Sequence, residues 1–111
     1  MPTFMVDSDD IFFNLFDFLR VEQEAYEMNQ SEIKNILQEY IKFVEKEVYP
    51  LRAKLDHDGI QHVDGKVKVP DYLKKMHQSF YANGWFALGC PESIEGVPVS
   101  VAVTMLSLIH I

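Results

Sequence analysis

Apolar side chains recur at steps of three and four residues in three separate stretches, and each stretch predicts a helix. The first runs through Phe12, Leu15, Phe16 and Leu19, with Ile11 and Phe18 widening the stripe. Ser8 or Asp9 is placed to cap it, and Asp9 and Asp10 suit its positive end. A helix apolar on so many sides is expected to be wedged against something large. The second and longest stripe comprises Ile33, Leu37, Tyr40, Val44, Val48, Leu51 and Leu55, with Lys34, Gln38, Lys42 and Lys46 turned towards solvent. Asn29 and Glu32 have the spacing of a capping box at its start, and Gly59 suits its C-terminal cap. Pro50 removes one backbone hydrogen bond, so it is expected to kink this helix or restart it just before Leu51. The third helix opens at Pro70, buries Tyr72, Leu73, Met76 and Phe80, and ends at Asn83-Gly84.

Between these helices the pattern changes. Residues 1–8 read as a loose arm and Glu22–Gln30 as a polar connector. Val63-Asp64-Gly65-Lys66-Val67 reads as a hairpin-like excursion around an Asp-Gly turn, short of a sheet. From Pro98 a fourth helix is expected. On pattern alone Val97–Val103 fits a strand equally well, because Val99, Val101 and Val103 are poor helix formers.

The totals narrow the class. A chain of 111 residues makes one small domain, with eight Phe, five Tyr and one Trp available for a core. At this size only about two-thirds of the unfolded surface is buried, so leftover apolar faces should meet other protein. A net charge of −7 with scattered basic residues argues against nucleic acid and against an anionic membrane surface. A single cysteine, Cys90, forms no internal disulfide. No apolar run approaches the ~20 residues of a membrane span. Asp17 interrupts the apolar segment near the N-terminus, which follows acids and not a basic flank, so it does not read as a secretory signal. A cytoplasmic protein is the expectation.

Candidate chemistry is thin. Asp56, His57, Asp58, His62 and Asp64 form the most site-like cluster, but its histidines straddle a turn and no second cluster completes a tetrahedral shell. A solvated loop is the better reading. Cys90 needs an activating base, and the spacing sets none of His57, His62 or His77 beside it. Glu92 and Glu95 read as solvated loop carboxylates. Trp85, just after a helix-ending glycine, reads as a plug against its own helix in preference to a flavin-stacking ring. Gly84, Gly89 and Gly96 do not make a Gly-x-Gly-x-x-Gly phosphate cradle.

One succession is more specific than any single residue. Gly84-Trp85, then Pro91-Glu92, then Gly96 and Pro98 before an apolar run, resembles the N-terminal helical domain of the acyl-CoA dehydrogenases. Asp10-Ile11-x-Phe13-Asn14-Leu15-Phe16, leading into Leu19-Arg20-Val21-Glu22, resembles the extension preceding that domain in a long-chain branch of the family. Together the likeness spans roughly residues 9–105. It implies an all-α fold class, here an incomplete N-terminal helical domain, and it makes Val97–Val103 a helix. The parent protein would be an FAD-dependent homo-oligomer that oxidises an acyl-CoA to the 2,3-enoyl-CoA and passes electrons to an acceptor. Its catalytic glutamate and flavin site lie in later domains, so no catalytic, FAD-binding or metal residue is carried over. Val101, Thr104 and Met105 are the candidates to line the acyl end of the pocket. The chain departs from the family in one respect. After Pro91-Glu92 comes Ser93-Ile94-Glu95-Gly96, with one glycine where the family shows several. A different loop path is therefore expected.

The expected organisation is an N-terminal extension over residues 1–30 and a partial helical domain over 31–105. Leu106-Ser107-Leu108-Ile109-His110-Ile111 matches one reading frame of a transposase recognition end used in sequencing libraries, so 106–111 reads as translated adapter. The alternative for the whole chain is a small acidic helical interaction module with no enzymatic activity, anchored through its Phe-rich first helix.

Overall fold

The computed structural model describes residues 6–23 and 28–109, the last three by their backbone alone. The expected arm (in its first five residues), much of the polar connector, and His110 and Ile111 lie outside the described residues. What is described is mostly helical with two short strands: α1 (Ser8–Phe12), α2 (Gln30–Phe43), α3 (Tyr49–Asp58), β1 (Gln61–Val63), β2 (Lys66–Lys68), α4 (Asp71–Ala82) and α5 (Val101–Ile109).

The first helix begins one residue earlier than expected, because the Asp7 carboxylate accepts from the Asp10 N–H at 3.1 Å and so acts as the cap. Past Phe12 the helix widens into a π-helical turn, Phe13–Phe18, closed by the Leu19 N–H donating to the Asn14 carbonyl at 2.9 Å. That widening redistributes the apolar stripe. Leu15 and Phe16 are buried, whereas Leu19 is 53% and Phe18 73% exposed, contrary to their expected burial.

The capping box is present in full. The Asn29 side chain accepts from the Glu32 N–H at 3.0 Å, and the Glu32 carboxylate accepts from the Asn29 N–H at 2.8 Å. The helix restarts just before Leu51, as expected of Pro50. A π-helical turn, Val44–Val48, carries α2 into α3, and Pro50 falls in the first turn of α3, where its missing N–H costs little. Phe43, three residues past Tyr40 and outside the expected set, is buried as well, whereas Val48, Leu51 and Leu55 beyond the π-helical turn are only half-buried. Lys34 also departs from expectation: it is half-buried, with its ammonium 5.5 Å and 5.3 Å from the ring centroids of Phe12 and Phe16.

The strands pair more closely than a hairpin-like excursion. They form an antiparallel ladder, with His62 opposite Val67. Asp64 and Gly65 both take positive φ (50° and 73°), as a two-residue hairpin turn requires. Every residue of both strands is exposed, so the hairpin stands off the helical body.

Two apolar clusters share α2. Ile33 and Leu37 pack with Leu15, Phe16 and Val21 and, from the α5 end, Val99 and Val103. Further along, Tyr40, Phe43 and Val44 pack with Met76, Phe80 and Trp85. The Tyr40 ring meets Trp85 edge-on at 5.0 Å. The Tyr40 hydroxyl is buried without a hydrogen-bond partner among the described residues, and burial pushes its pKa up to about 12. The resulting body is flat, 52 × 39 × 19 Å, with a radius of gyration of 16.4 Å. A compact domain of this length has about 13 Å.

Asn29→Ala should remove the cap and cost about 1 kcal/mol in chemical denaturation. Tyr40 predicts alkaline destabilisation. Between its ordinary value of 10.0 and about 12, the unfolded chain releases the phenolic proton while the fold retains it. Stability should therefore fall over that window, by about 2–3 kcal/mol when complete. The difference between the parent chain and Tyr40→Phe across that range isolates the effect.

Candidate functional site

The succession from Gly84 to Met105 folds into one loop and the start of a helix. Asn83 caps α4, and Gly84 takes the left-handed conformation at φ 75° that frees the chain to turn. Trp85 then drops onto Tyr40 and Phe43 as a plug, its indole N–H buried with no partner among the described residues. Leu88 and Val97 form an isolated parallel bridge: the Gly89 N–H donates to the Val97 carbonyl at 2.9 Å, and the Val97 N–H to the Ala87 carbonyl at 3.0 Å. These bonds pinch the loop shut around Pro91–Gly96.

The two loop glycines serve close approaches. A Cβ on Gly89, at φ 86°, would lie 2.7 Å from the Thr104 hydroxyl, and one on Gly96 would run into the Cys90 backbone. Where the family resemblance expects further glycine, Glu95 takes the left-handed conformation at φ 60°. A non-glycine residue there costs on the order of 1 kcal/mol.

The fourth helix begins at Val101 and not at Pro98. Ser100 is the reason: it is buried, and its hydroxyl accepts from the Ala102 N–H at 3.2 Å, while its carbonyl receives the Thr104 N–H at 3.1 Å. Val99, just before the cap, is buried in the first cluster. Helix, not strand, is thus the outcome over Val101–Val103.

The three candidate pocket residues divide. Val101 and Met105, four apart on α5, are 70% and 50% exposed. Thr104 faces inward against Gly89, with its hydroxyl donating to the Ser100 carbonyl at 3.4 Å. Val101 and Met105 are therefore open to solvent, and Phe86, Ile94 and Val97 in the preceding loop are exposed as well. Such exposed apolar side chains suit an apolar ligand or a protein neighbour. The thiol of Cys90 donates to the Phe86 carbonyl at 3.7 Å, and Glu92 and Glu95 are exposed. Leu106 packs against the first cluster as α5 continues.

The histidine-aspartate cluster at the other end resolves into surface contacts. Asp58 accepts from the Tyr72 hydroxyl at 3.1 Å and lies 3.2 Å from His57 Nδ1, hydrogen bonds that hold its pKa below the usual carboxylate range. Asp58, Lys68 and Asp71 edge a groove of about 340 Å³ between α3, the hairpin and α4. His62 stands apart on β1. Among the described residues no three His, Cys, Asp or Glu side chains gather as metal ligands, and no helix is long and apolar enough to cross a membrane.

Sequence reasoning missed the buried Ser100 cap and the Gly89–Thr104 contact. The first had a signal, a serine immediately before an apolar run. The second is long-range and had none. Compared with protein-family models and with curated proteins, the chain matches none.

Gly89→Ala should destabilise the fold by more than 1 kcal/mol through positive φ and the clash with Thr104. Adding Thr104→Ala should recover only the steric part, a partial rescue readable in paired thermal melts.

Proposed function

We propose that this chain is the structural N-terminal part of a flavin-dependent acyl-CoA dehydrogenase, a fragment lacking its parent's catalytic and flavin-binding parts. The observation that carries the reading is the flatness of the body. At 19 Å in its thinnest dimension, and with a radius of gyration well above that of a compact domain, the chain leaves apolar surface that further protein would cover. The order of residues in the loop before α5, Gly84, Trp85, Pro91, Glu92, Gly96 and Pro98, supports the family choice. Bonds between Gly89 and Val97, Val97 and Ala87, and Gly96 and Pro91 close that stretch into one pinched turn. On this reading Val101 and Met105 face the acyl end of the substrate. The chain's role is steric: it supplies apolar wall and excludes water. The parent assembles as a homo-oligomer, binds FAD elsewhere, and passes electrons from the acyl-CoA to an acceptor.

The exposed Phe13 and Phe18 favour the second reading, a free-standing helical interaction module. Expression of the whole open reading frame that contains this chain distinguishes the two. The flavoenzyme reading expects a yellow protein whose flavin is bleached anaerobically by an acyl-CoA, and a broad, aggregation-prone melt for residues 1–105 alone. A reading frame that stops after Ile111, with a monomeric product melting in one sharp transition, overturns it in favour of the module.

A further inference from the structure

The first helix carries a second exposed apolar surface, remote in sequence from α5 and chemically different from it. Phe13 is 58% and Phe18 73% exposed, although their neighbours Leu15 and Phe16 are buried. Their spacing of five residues would separate them widely around an α-helix. The π-helical turn between them, closed by the Leu19 N–H on the Asn14 carbonyl five residues back, returns both rings to the same side with Asp17 beside them. Asp9 and Asp10 stand four and three residues before Phe13 and flank the same face. Asp9, Asp10 and Asp17 are exposed and make no ion pair among the described residues. The cations of this segment are Arg20 at the far end and, over the rings of Phe12 and Phe16, Lys34.

We infer that this acidic-aromatic face docks into an apolar groove rimmed by Lys and Arg on another protein surface. Two rings projecting from one side of a helix act as anchors, and aromatic anchors dominate binding when a pocket desolvates them. The carboxylates choose among occupants. An anionic lipid surface would repel them. A second copy of this chain carries the same net charge of −7 and is a poor match. A basic rim satisfies all three acids and fixes the helix in register. The inference does not rest on the flavoenzyme reading, since it uses neither α5 nor the loop before it.

The test is photo-crosslinking in the native host, with p-benzoylphenylalanine replacing Phe18 in the full-length protein and Val67, an equally exposed hairpin position, as control. Crosslinked peptides are mapped by mass spectrometry. The expected result is a single dominant partner segment, apolar and flanked by Lys or Arg. Its yield should drop about tenfold with Asp10→Asn plus Asp17→Lys. Asp17→Lys alone, away from the helix N-terminus, repeats the test without disturbing the cap, and circular dichroism verifies that the helix persists. Reversing the partner's basic residues to Glu should restore the yield with Asp17→Lys. Crosslinks confined to lipid or to the same chain, scattered as they are from Val67, or insensitive to the charge changes would overturn the inference.

Discussion

Everything described here hangs on one face of α2. Ile33 and Leu37 near its start, and Tyr40, Phe43 and Val44 near its end, are all almost wholly buried, yet they serve different neighbours. The first pair holds the N-terminal helix and α5, and the second group holds α4 and the Trp85 plug. The long helix therefore works as a strut joining two small clusters, neither large enough to fold alone. The capping box at Asn29 and Glu32 secures one end of it. Both clusters stay in fixed relation because their α2 residues, Ile33 to Phe43, belong to one unbroken α-helix.

That arrangement explains the shape. Helices laid along one strut form a sheet of helices little more than a single layer deep, 19 Å through. Such a layer has two broad sides and only enough apolar residues to seal the line where the helices meet. The rings and aliphatic chains left over lie on the first helix, on α5 and its preceding loop, and at Ile60, Val63 and Val67 around the hairpin. The hairpin, exposed on both faces, is held only at its base, where it joins α3 to α4.

Much of this was legible from residue order. The capping box, the Gly59 and Gly84 helix ends, the Asp64-Gly65 turn and the Ile33-Leu37-Tyr40-Val44 stripe all depend on neighbours within a few positions. The errors have a common source. Leu19 and Phe18 are exposed against expectation, and Leu51 and Leu55 only half-buried, because a stripe drawn at α-helical spacing fails wherever the winding changes. For the candidate site, the exposed positions Val101 and Met105 were foreseeable as apolar residues four apart, but the inward turn of Thr104 was not, since it answers to Gly89 fifteen residues earlier.

By itself, then, the sequence determined the local grammar: which segments are helical, where caps and turns stop them, and that the chain is acidic and rich in Phe. Those properties follow from backbone sterics and short-range hydrogen bonds, which each residue carries wherever it goes. Tertiary structure decided which side of each helix is covered, that Thr104 turns in against Gly89, and that Phe13 and Phe18 share a face. Those outcomes depend on helix winding and on surfaces meeting across long separations. Such packing compares competing arrangements of the whole chain, and no local pattern contains that comparison.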